Sequence, residues 1–292
     1  MADQNDSVIS IRNLRKFFVN SRGERQTVLQ DVSFDVRRGE TLIIMGGSGC
    51  GKSTLLNCLI GEYDVDAGDI LYRTKDMPEP VNIVGMAEPE LNVIRKKFAI
   101  LFQSGALFNS MSLAENVALP LREHSNIEES IIDIVVTLKL QQVHMLPHRE
   151  KLPSQLSGGQ KKRAGLARAI VLDPEIIFYD EPSAGLDPVT SAAIDELIMD
   201  LSKKLQVTSV VVTHEMDSAF RIADRMVMLE KGHVLKIGSR DEFEALADAD
   251  PATLTSREDQ LMYQFLNGNT TGPLTDAEGL SQYEQLLVTG EE

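Results

Sequence analysis

The chain has 292 residues, enough for one large domain or two small ones and for a sizeable buried core. With 42% apolar and 25% charged residues its composition is ordinary for a globular protein, which excludes wholesale disorder, collagen-like repeats and low-complexity scaffolds. Its 29 basic and 44 acidic side chains give a net charge of -15, which opposes binding to a polyanion such as nucleic acid. In chain order, Val8 to Phe18 and Val28 to Val36 alternate loosely and predict strands, and Thr41 to Met45 is an apolar run feeding a glycine loop. Lys52 to Ile60 suits a helix that Gly61 stops, and Phe98 to Phe102 predicts another buried strand.

From Ser104 to about Leu156 the pattern is helical, with Ile131, Ile132, Val135, Val136 and Leu140 expected on one apolar stripe. Strand and helix then alternate. Ile176 to Tyr179 and Ser209 to Thr213 predict strands, Val189 to Leu205 and Met216 to Ala223 helices, and Arg225 to Ile237 a hairpin turning at Lys231-Gly232. This alternation implies a parallel sheet with helices on its faces, interrupted by a helical insert. No internal repeat is present.

Two cysteines, Cys50 and Cys58, are too few for a disulfide framework and fit a reducing compartment. Cys58 reads as a small buried helix residue. No apolar run approaches the ~18 residues of a membrane span, and the first residues lack the basic and apolar parts of a secretory signal. The expected address is cytoplasmic, with any membrane reached only through partners. The acidity is uneven: from Arg240 onward 12 acids face 2 bases, so two thirds of the excess negative charge lies beyond residue 239.

Three segments carry chemistry. Gly46-Gly47-Ser48-Gly49-Cys50-Gly51-Lys52-Ser53-Thr54 fits a P-loop: the glycines let backbone N–H groups converge on phosphate oxygens, the helix N-terminus adds positive potential, Lys52 neutralises β and γ phosphates, and Ser53 can ligate Mg²⁺. Ile176 to Tyr179 ends in Asp180 and Glu181, two carboxylates on opposite sides of a strand. Asp180 is placed to hold Mg²⁺ and Glu181 to poise a water for in-line attack on the γ-phosphate. Ser157-Gly158-Gly159-Gln160, preceded by Leu156, opens a helix and makes a second phosphate cradle. The basic run Lys161 to Arg168 is expected to be a solvated helix adding positive potential near ATP. His124, His144, His148 and His233 lack metal-ligand spacing and read as surface or loop residues.

The pentapeptide Leu156 to Gln160 arises by chance in only a few chains per ten thousand at about average composition, and it resembles the signature of ABC-type ATPases. That resemblance, covering about residues 8 to 239, implies an α/β fold: a P-loop NTPase of the ABC nucleotide-binding type, with a RecA-like core, a β-rich N-terminal subdomain and a helical subdomain inserted at about 104 to 157. It implies ATP and Mg²⁺ as cofactors and a homodimer in which each ATP lies between the P-loop of one subunit and the signature of the other. It further implies that Gln103 contacts Mg²⁺ and attacking water, that Asp187 in Ser183 to Pro188 lies in the loop crossing the dimer interface, and that His214 contacts the γ-phosphate. Phe18 is the implied adenine-stacking aromatic, with Phe17 the alternative if the register slips by one.

Leu101 to Met111, Glu115 to His124, Ala184 to Pro188 and Gln264 to Gly268 with Gly272-Pro273 resemble the ATPases of the Mla phospholipid-transport system and related MCE-associated transporters. This narrower resemblance implies a peripheral protein at the cytoplasmic face of the inner membrane, working with an integral membrane permease, a STAS-domain protein and a periplasmic MCE-domain protein, without nucleic acid. Ser104 to Met111 is the expected permease contact. The alternatives are the ATPase of an importer or exporter for another solute, and a soluble ABC protein acting on ribosomes or DNA. The latter lacks support, since there is one signature, no coiled-coil insert and an acidic balance. Residues 240 to 292 read as an acidic C-terminal extension with two apolar stripes. Leu261, Met262, Phe265 and Leu266 follow a Ser256/Asp259 capping box, and Leu280, Tyr283, Leu286 and Leu287 come later. Both stripes are expected to be exposed for docking on the neighbouring ATPase subunit or the STAS-domain partner.

Overall fold

A computed structural model of the protein describes residues 7–276. The chain divides into two compact units, Met1–Ile237 and Gly238–Glu292. In the first, β1 (Ser7–Val19), β2 (Arg25–Arg37), β4 (Ala67–Tyr72) and β5 (Val81–Asn82) form a sheet in the order β2-β1-β4-β5. β1 pairs antiparallel with both β2 and β4.

The second sheet has six strands in the order β10-β9-β3-β8-β7-β6. These are β3 (Thr41–Gly46), β6 (Phe98–Leu101), β7 (Ile176–Asp180), β8 (Thr208–Val212), β9 (Arg225–Glu230) and β10 (His233–Ser239). From β6 to β9 every pairing is parallel. The β9 to β10 turn is at Lys231-Gly232, where both φ values are positive (46° and 82°), the backbone that a tight hairpin requires.

Side-chain alternation sorts the parallel strands. Leu42 and Ile44, Ile176 and Phe178, Val210 and Val212, and Val227 and Leu229 join one core with α1 (Lys52–Leu59) and the antiparallel sheet. Their neighbours Ile43, Met45, Ile177, Tyr179, Val211, Met226 and Met228 are equally buried but outside that core. α2 (Glu88–Arg95) escapes a reading by apolar periodicity because it buries only Leu91 and Ile94. α6 (Pro188–Leu205) and α7 (Met216–Ile222) lie where the alternation predicts helices.

The insert is not helical throughout. Residues 104 to 112 form a loop, α3 (Leu113–His124) and α4 (Glu129–Gln142) follow, and α5 (Gly158–Ala169) opens at the signature. The expected stripe on α4 is corrected. Ile132, Val136 and Leu140 are buried with Lys139, but Val135 is half-buried and Ile131 is 46% exposed on an outer face with Ile134 and Leu138. Packing against α3 and α5 selects the inner face.

The second unit holds α8 (Arg240–Ala247), α9 (Arg257–Asn267) and the short α10 (Pro273–Asp276). α8 begins with a reciprocal cap: Ser239 Oγ accepts from the Glu242 amide and the Glu242 carboxylate accepts from the Ser239 amide. At α9 only half of that motif forms, because Asp259 takes the Ser256 hydroxyl (2.7 Å) in place of its amide. Met262 and Leu266 are buried, so the first acidic-tail stripe is not an exposed face. The second stripe, Leu280 to Leu287, lies outside the described residues.

Candidate functional site

The parallel strands β3, β8, β7 and β6 are consecutive neighbours, so their C-terminal ends line one edge of the sheet, the edge where open α/β sheets bind ligands. Each end carries an expected site residue. β3 runs into Gly46, β8 is followed by Thr213 and His214, β7 ends in Asp180 with Glu181 next, and β6 is followed two residues later by the exposed Gln103. Gly47, Ser48, Gly49, Ser53 and Thr54 lie on the loop and first turn that join β3 to α1.

The loop geometry demands its glycines. Gly46, Gly49 and Gly51 all have positive φ (148°, 75° and 109°). A Cβ on Gly46 would lie 2.2 Å from the Leu229 carbonyl oxygen, and one on Gly51 would lie 2.8 Å from the Leu29 side chain. Gly51 serves as the left-handed N-cap of α1 without a side-chain cap, so the first amides of that helix remain directed at the loop. Lys52 Nζ donates to the carbonyls of Gly46 (2.7 Å) and Gly47 (3.0 Å). Cys50 is buried, its thiol pKa raised by burial, and it packs beneath Gly46.

At β7 the two carboxylates part. Asp180 follows the parity of Phe178 and therefore faces the α1 side. It is half-buried, and its pKa is raised first by burial and then by the charge of Glu181, partly offset by Lys162. Glu181 leaves the strand in a left-handed conformation (φ 47°), with its amide bonded to the Val212 carbonyl (2.9 Å) and its own carbonyl to Lys162 Nζ (2.8 Å). That backbone is costly for a non-glycine residue and is held here from both sides. One carboxylate oxygen, Oε1, is 2.7 Å from His214 Nδ1. The other, Oε2, is buried and has no hydrogen-bond partner among the described residues.

Ser157 caps α5. Its Oγ accepts from the Gln160 amide (3.3 Å) and its amide donates to Gln160 Oε1 (3.0 Å), while Gln160 Nε2 lies 3.3 Å from His148 Nε2. His148 is thus half-buried beside the signature, where the sequence suggested only a surface or loop residue. Gly159 permits close packing, since a Cβ there would lie 2.4 Å from Thr190 Cγ2, and Gly158 approaches Leu186.

The basic run after the signature departs from the expected solvated face. Lys162 is only 5% exposed, burial lowers its pKa, and it reaches the Glu181 carbonyl. Arg163 donates to the carbonyls of Val143 and Ala193, and Arg168 to those of Gly105 and Ala106. Lys162 is a site residue that charge-based reading missed. Its signal is its place three residues from both Gly159 and Gly165, on the small-residue side of the helix.

Phe18 is 38% exposed, edge-on to Tyr63 (5.6 Å between centroids) and with Lys16 Nζ 5.2 Å from its ring. Phe17, one residue earlier on the strand, carries the Arg25 guanidinium at 4.5 Å. Asp187 is the N-cap of α6: its carboxylate accepts from the amides of Val189 and Thr190 (3.1 Å each) and from Thr190 Oγ1, which together lower its pKa. Asn116 was also missed. Fully buried, it bonds the carbonyls of Phe108, Met111 and Ser112 and the Phe108 amide, and so holds the 108 to 112 loop.

The model of the ABC transporter family matches residues 29–184. The probable ribonucleotide transport ATP-binding protein mkl of Mycobacterium leprae is 39% identical over 284 residues, covering 97% of this chain and 74% of its own length. The intermembrane phospholipid transport system ATP-binding protein MlaF of Escherichia coli is 37% identical over 270 residues, 92% of this chain and 94% of its own. Among solved structures, a dimeric ATP-binding cassette in a post-hydrolysis state bound to ADP and Pi superposes with a TM-score of 0.71 at 28% identity, covering 80% of this chain and 98% of that one. No helix among the described residues is long and apolar enough to cross a membrane. With its P-loop, its strand-end carboxylates and its capped signature helix in one cassette fold, the chain belongs to the ABC transporter family as an ATP-hydrolysing subunit.

Proposed function

We propose that this subunit powers phospholipid transport between inner and outer membranes through a separate permease, from the cytoplasmic face of the inner membrane. The observation that carries this reading is the match to the MlaF ATPases over 92% of this chain and 94% of theirs. The exposed Phe108, on a loop pinned by Asn116 and Arg168, supports Ser104 to Met111 as the permease contact. Residues 8 to 239 would form the ATPase and 240 to 292 a docking extension. A second copy, a STAS-domain protein and an MCE-domain protein are the proposed partners.

In this reading the P-loop amides of Gly46 to Thr54 and Lys52 bind the phosphates, and Phe18 stacks on adenine. Phe18 is favoured over Phe17 because its ring is exposed whereas Phe17 is half-buried under Arg25. Ser157, Gly158, Gly159 and Gln160 of a second copy close the site, with Asp187 beside them. The residues present fit Mg²⁺, which takes few protein ligands and prefers hard oxygens: the half-buried carboxylate of Asp180 gains from a cation what burial costs it. Asp180, Ser53 and Gln103 would hold the ion, which when bound neutralises charge on the phosphates. His214 fixes Glu181 through Oε1, and the Glu181 carboxylate would orient the attacking water and accept its proton.

Substrate class is tested by purifying the intact complex from membranes. Phospholipid and an MCE-domain chain in the complex, with ATPase activity that responds to that lipid, are the expected result. A soluble-solute receptor in their place, or stimulation by ribonucleotides as suggested by the mycobacterial relative's name, would replace the lipid reading with that of another transporter.

A further inference from the structure

Arg168 stands in the last turn of α5, about two and a half turns beyond the signature's glycines, and has no part in the nucleotide site described above. Its Nη1 donates to the Ala106 carbonyl at 2.9 Å and its Nη2 to the Gly105 carbonyl at 3.3 Å, and its guanidinium lies 6.0 Å from the Phe108 ring. Burial lowers its pKa, and no carboxylate among the described residues offsets that penalty. A half-buried guanidinium whose side-chain hydrogen bonds go to main-chain carbonyls carries a desolvation cost that an apolar side chain would not.

The carbonyls it grips belong to the segment that follows Gln103. Gly105 and Ala106 are both left-handed (φ 74° and 48°), so their carbonyls are turned by a conformation that Ala106 adopts against its preference. The same segment lies flat on α5. A Cβ on Gly105 would be 3.1 Å from the Lys161 carbonyl oxygen, and one on Gly165 would be 3.0 Å from the Gly105 carbonyl oxygen. From Lys161 through Gly165 to Arg168, two turns of the helix are stitched to residues 105 and 106. The other end of that helix is the signature, fixed by the Ser157 and Gln160 cap.

We propose that Arg168 is a positioning residue that locks the Gln103 segment to α5, so that Gln103 on one nucleotide and Ser157 to Gln160 on the second copy's nucleotide are placed by one rigid unit. This rests on the roles given above to Gln103 and the signature. A bound nucleotide that draws Gln103 toward it would carry the signature of the same chain with it, which links the two ATP sites of a dimer.

The test is steady-state ATP turnover by the full-length protein as wild type, Arg168→Met, Arg168→Lys, Gln103→Ala and the Arg168→Met/Gln103→Ala double variant. Arg168→Met keeps the apolar stem and removes both donors. It is expected to lower kcat about tenfold, as small misplacements of catalytic groups do, with KM for ATP changed by less than about twofold. The Hill coefficient for ATP should fall toward unity, and Arg168→Lys should recover part of the rate. If Arg168 acts through Gln103, the double variant will be no slower than Gln103→Ala. Gly165→Ala, which prises the Gly105 carbonyl away without altering charge, should be epistatic with Gln103→Ala in the same way and covers the case in which Arg168→Met folds poorly. Losses that multiply in the double variants, or wild-type kcat and cooperativity in folded Arg168→Met, would overturn the proposal. A Gln103→Ala protein with wild-type turnover would instead remove the underlying reading of Gln103.

Discussion

Glu181 is held by three neighbours: Val212 on its amide, Lys162 on its carbonyl and His214 on Oε1. Glu181→Gln preserves size and anchoring and removes the proposed proton acceptor. Turnover is expected to fall by about 10² to 10⁴ while ATP binding persists, as single-turnover and equilibrium-binding measurements would show; normal steady-state hydrolysis would falsify the water-poising role. Asp180 makes the opposite contrast. Its folded-state pKa is raised above 3.8 by burial and by Glu181, so the fold favours the neutral form and stability declines as pH rises through the raised value. Asp180→Asn should therefore raise Tm at neutral pH, and the gain should shrink as the pH is lowered toward the ordinary carboxylate range. A gain that is constant with pH would mean that packing, and not ionisation, is responsible.

Among the elements, α5 couples most of the site. Its N-terminal turn fits because Gly159 leaves room for Thr190, whose rotamer is fixed by the hydroxyl bond to Asp187. Gly159→Ala puts a methyl 2.4 Å from Thr190 Cγ2. An overpacked contact of this kind costs about 1–3 kcal/mol, measurable in urea unfolding. Thr190→Ser keeps the hydroxyl and removes the clashing methyl, so the double variant should regain most of the loss. Equal stability of Gly159→Ala and wild type would show that α6 yields at this point. The same small-residue side admits Lys162 to the Glu181 carbonyl, so one helix carries both the capped Ser157 to Gln160 turn and a brace for the loop at Glu181.

For the whole molecule, ATP sandwiched between two copies predicts that Glu181→Gln, unable to hydrolyse, accumulates as a dimer when MgATP is added, and elutes as a monomer without it. Light scattering during gel filtration checks this, and a monomer under both conditions would argue against association driven by nucleotide alone. The acidic extension is tested on the same background. Truncation after Gly272 removes the sequence stripe Leu280 to Leu287, and should weaken dimerisation or partner retention without changing the nucleotide affinity of the remaining cassette. Unaltered association would leave the last twenty residues without a docking role. The net charge of -15 then describes a nearly neutral ATPase and an acidic extension, and not a uniformly acidic surface.

The P-loop, the strand ending in Asp180 and Glu181, and the signature were legible in the sequence because each is a local device. Consecutive glycines, a capping pair three residues apart and a strand terminus act through neighbours in the chain. The order of parallel strands that brings Gln103, Glu181 and His214 to the edge beside the P-loop follows less directly, from long-range pairing that the family resemblance supplied. Three matters were settled only by tertiary structure. Strand alternation predicts Asp180 and Glu181 on opposite sides of β7, but the strand ends at Asp180, Glu181 departs with a left-handed backbone, and the side that Asp180 faces is not given by a strand buried on both sides. Helical spacing fits Ile131, Ile134 and Leu138 as well as Ile132, Val136 and Leu140, and only the helices packed against α4 choose between them. Charge counts place Lys161 to Arg168 in solvent, yet Lys162 is buried and Arg168 half-buried, because small residues bring α5 within reach of main-chain carbonyls that satisfy them. Propensity and charge are properties of a residue and its neighbours in sequence, whereas burial depends on what the rest of the chain places opposite.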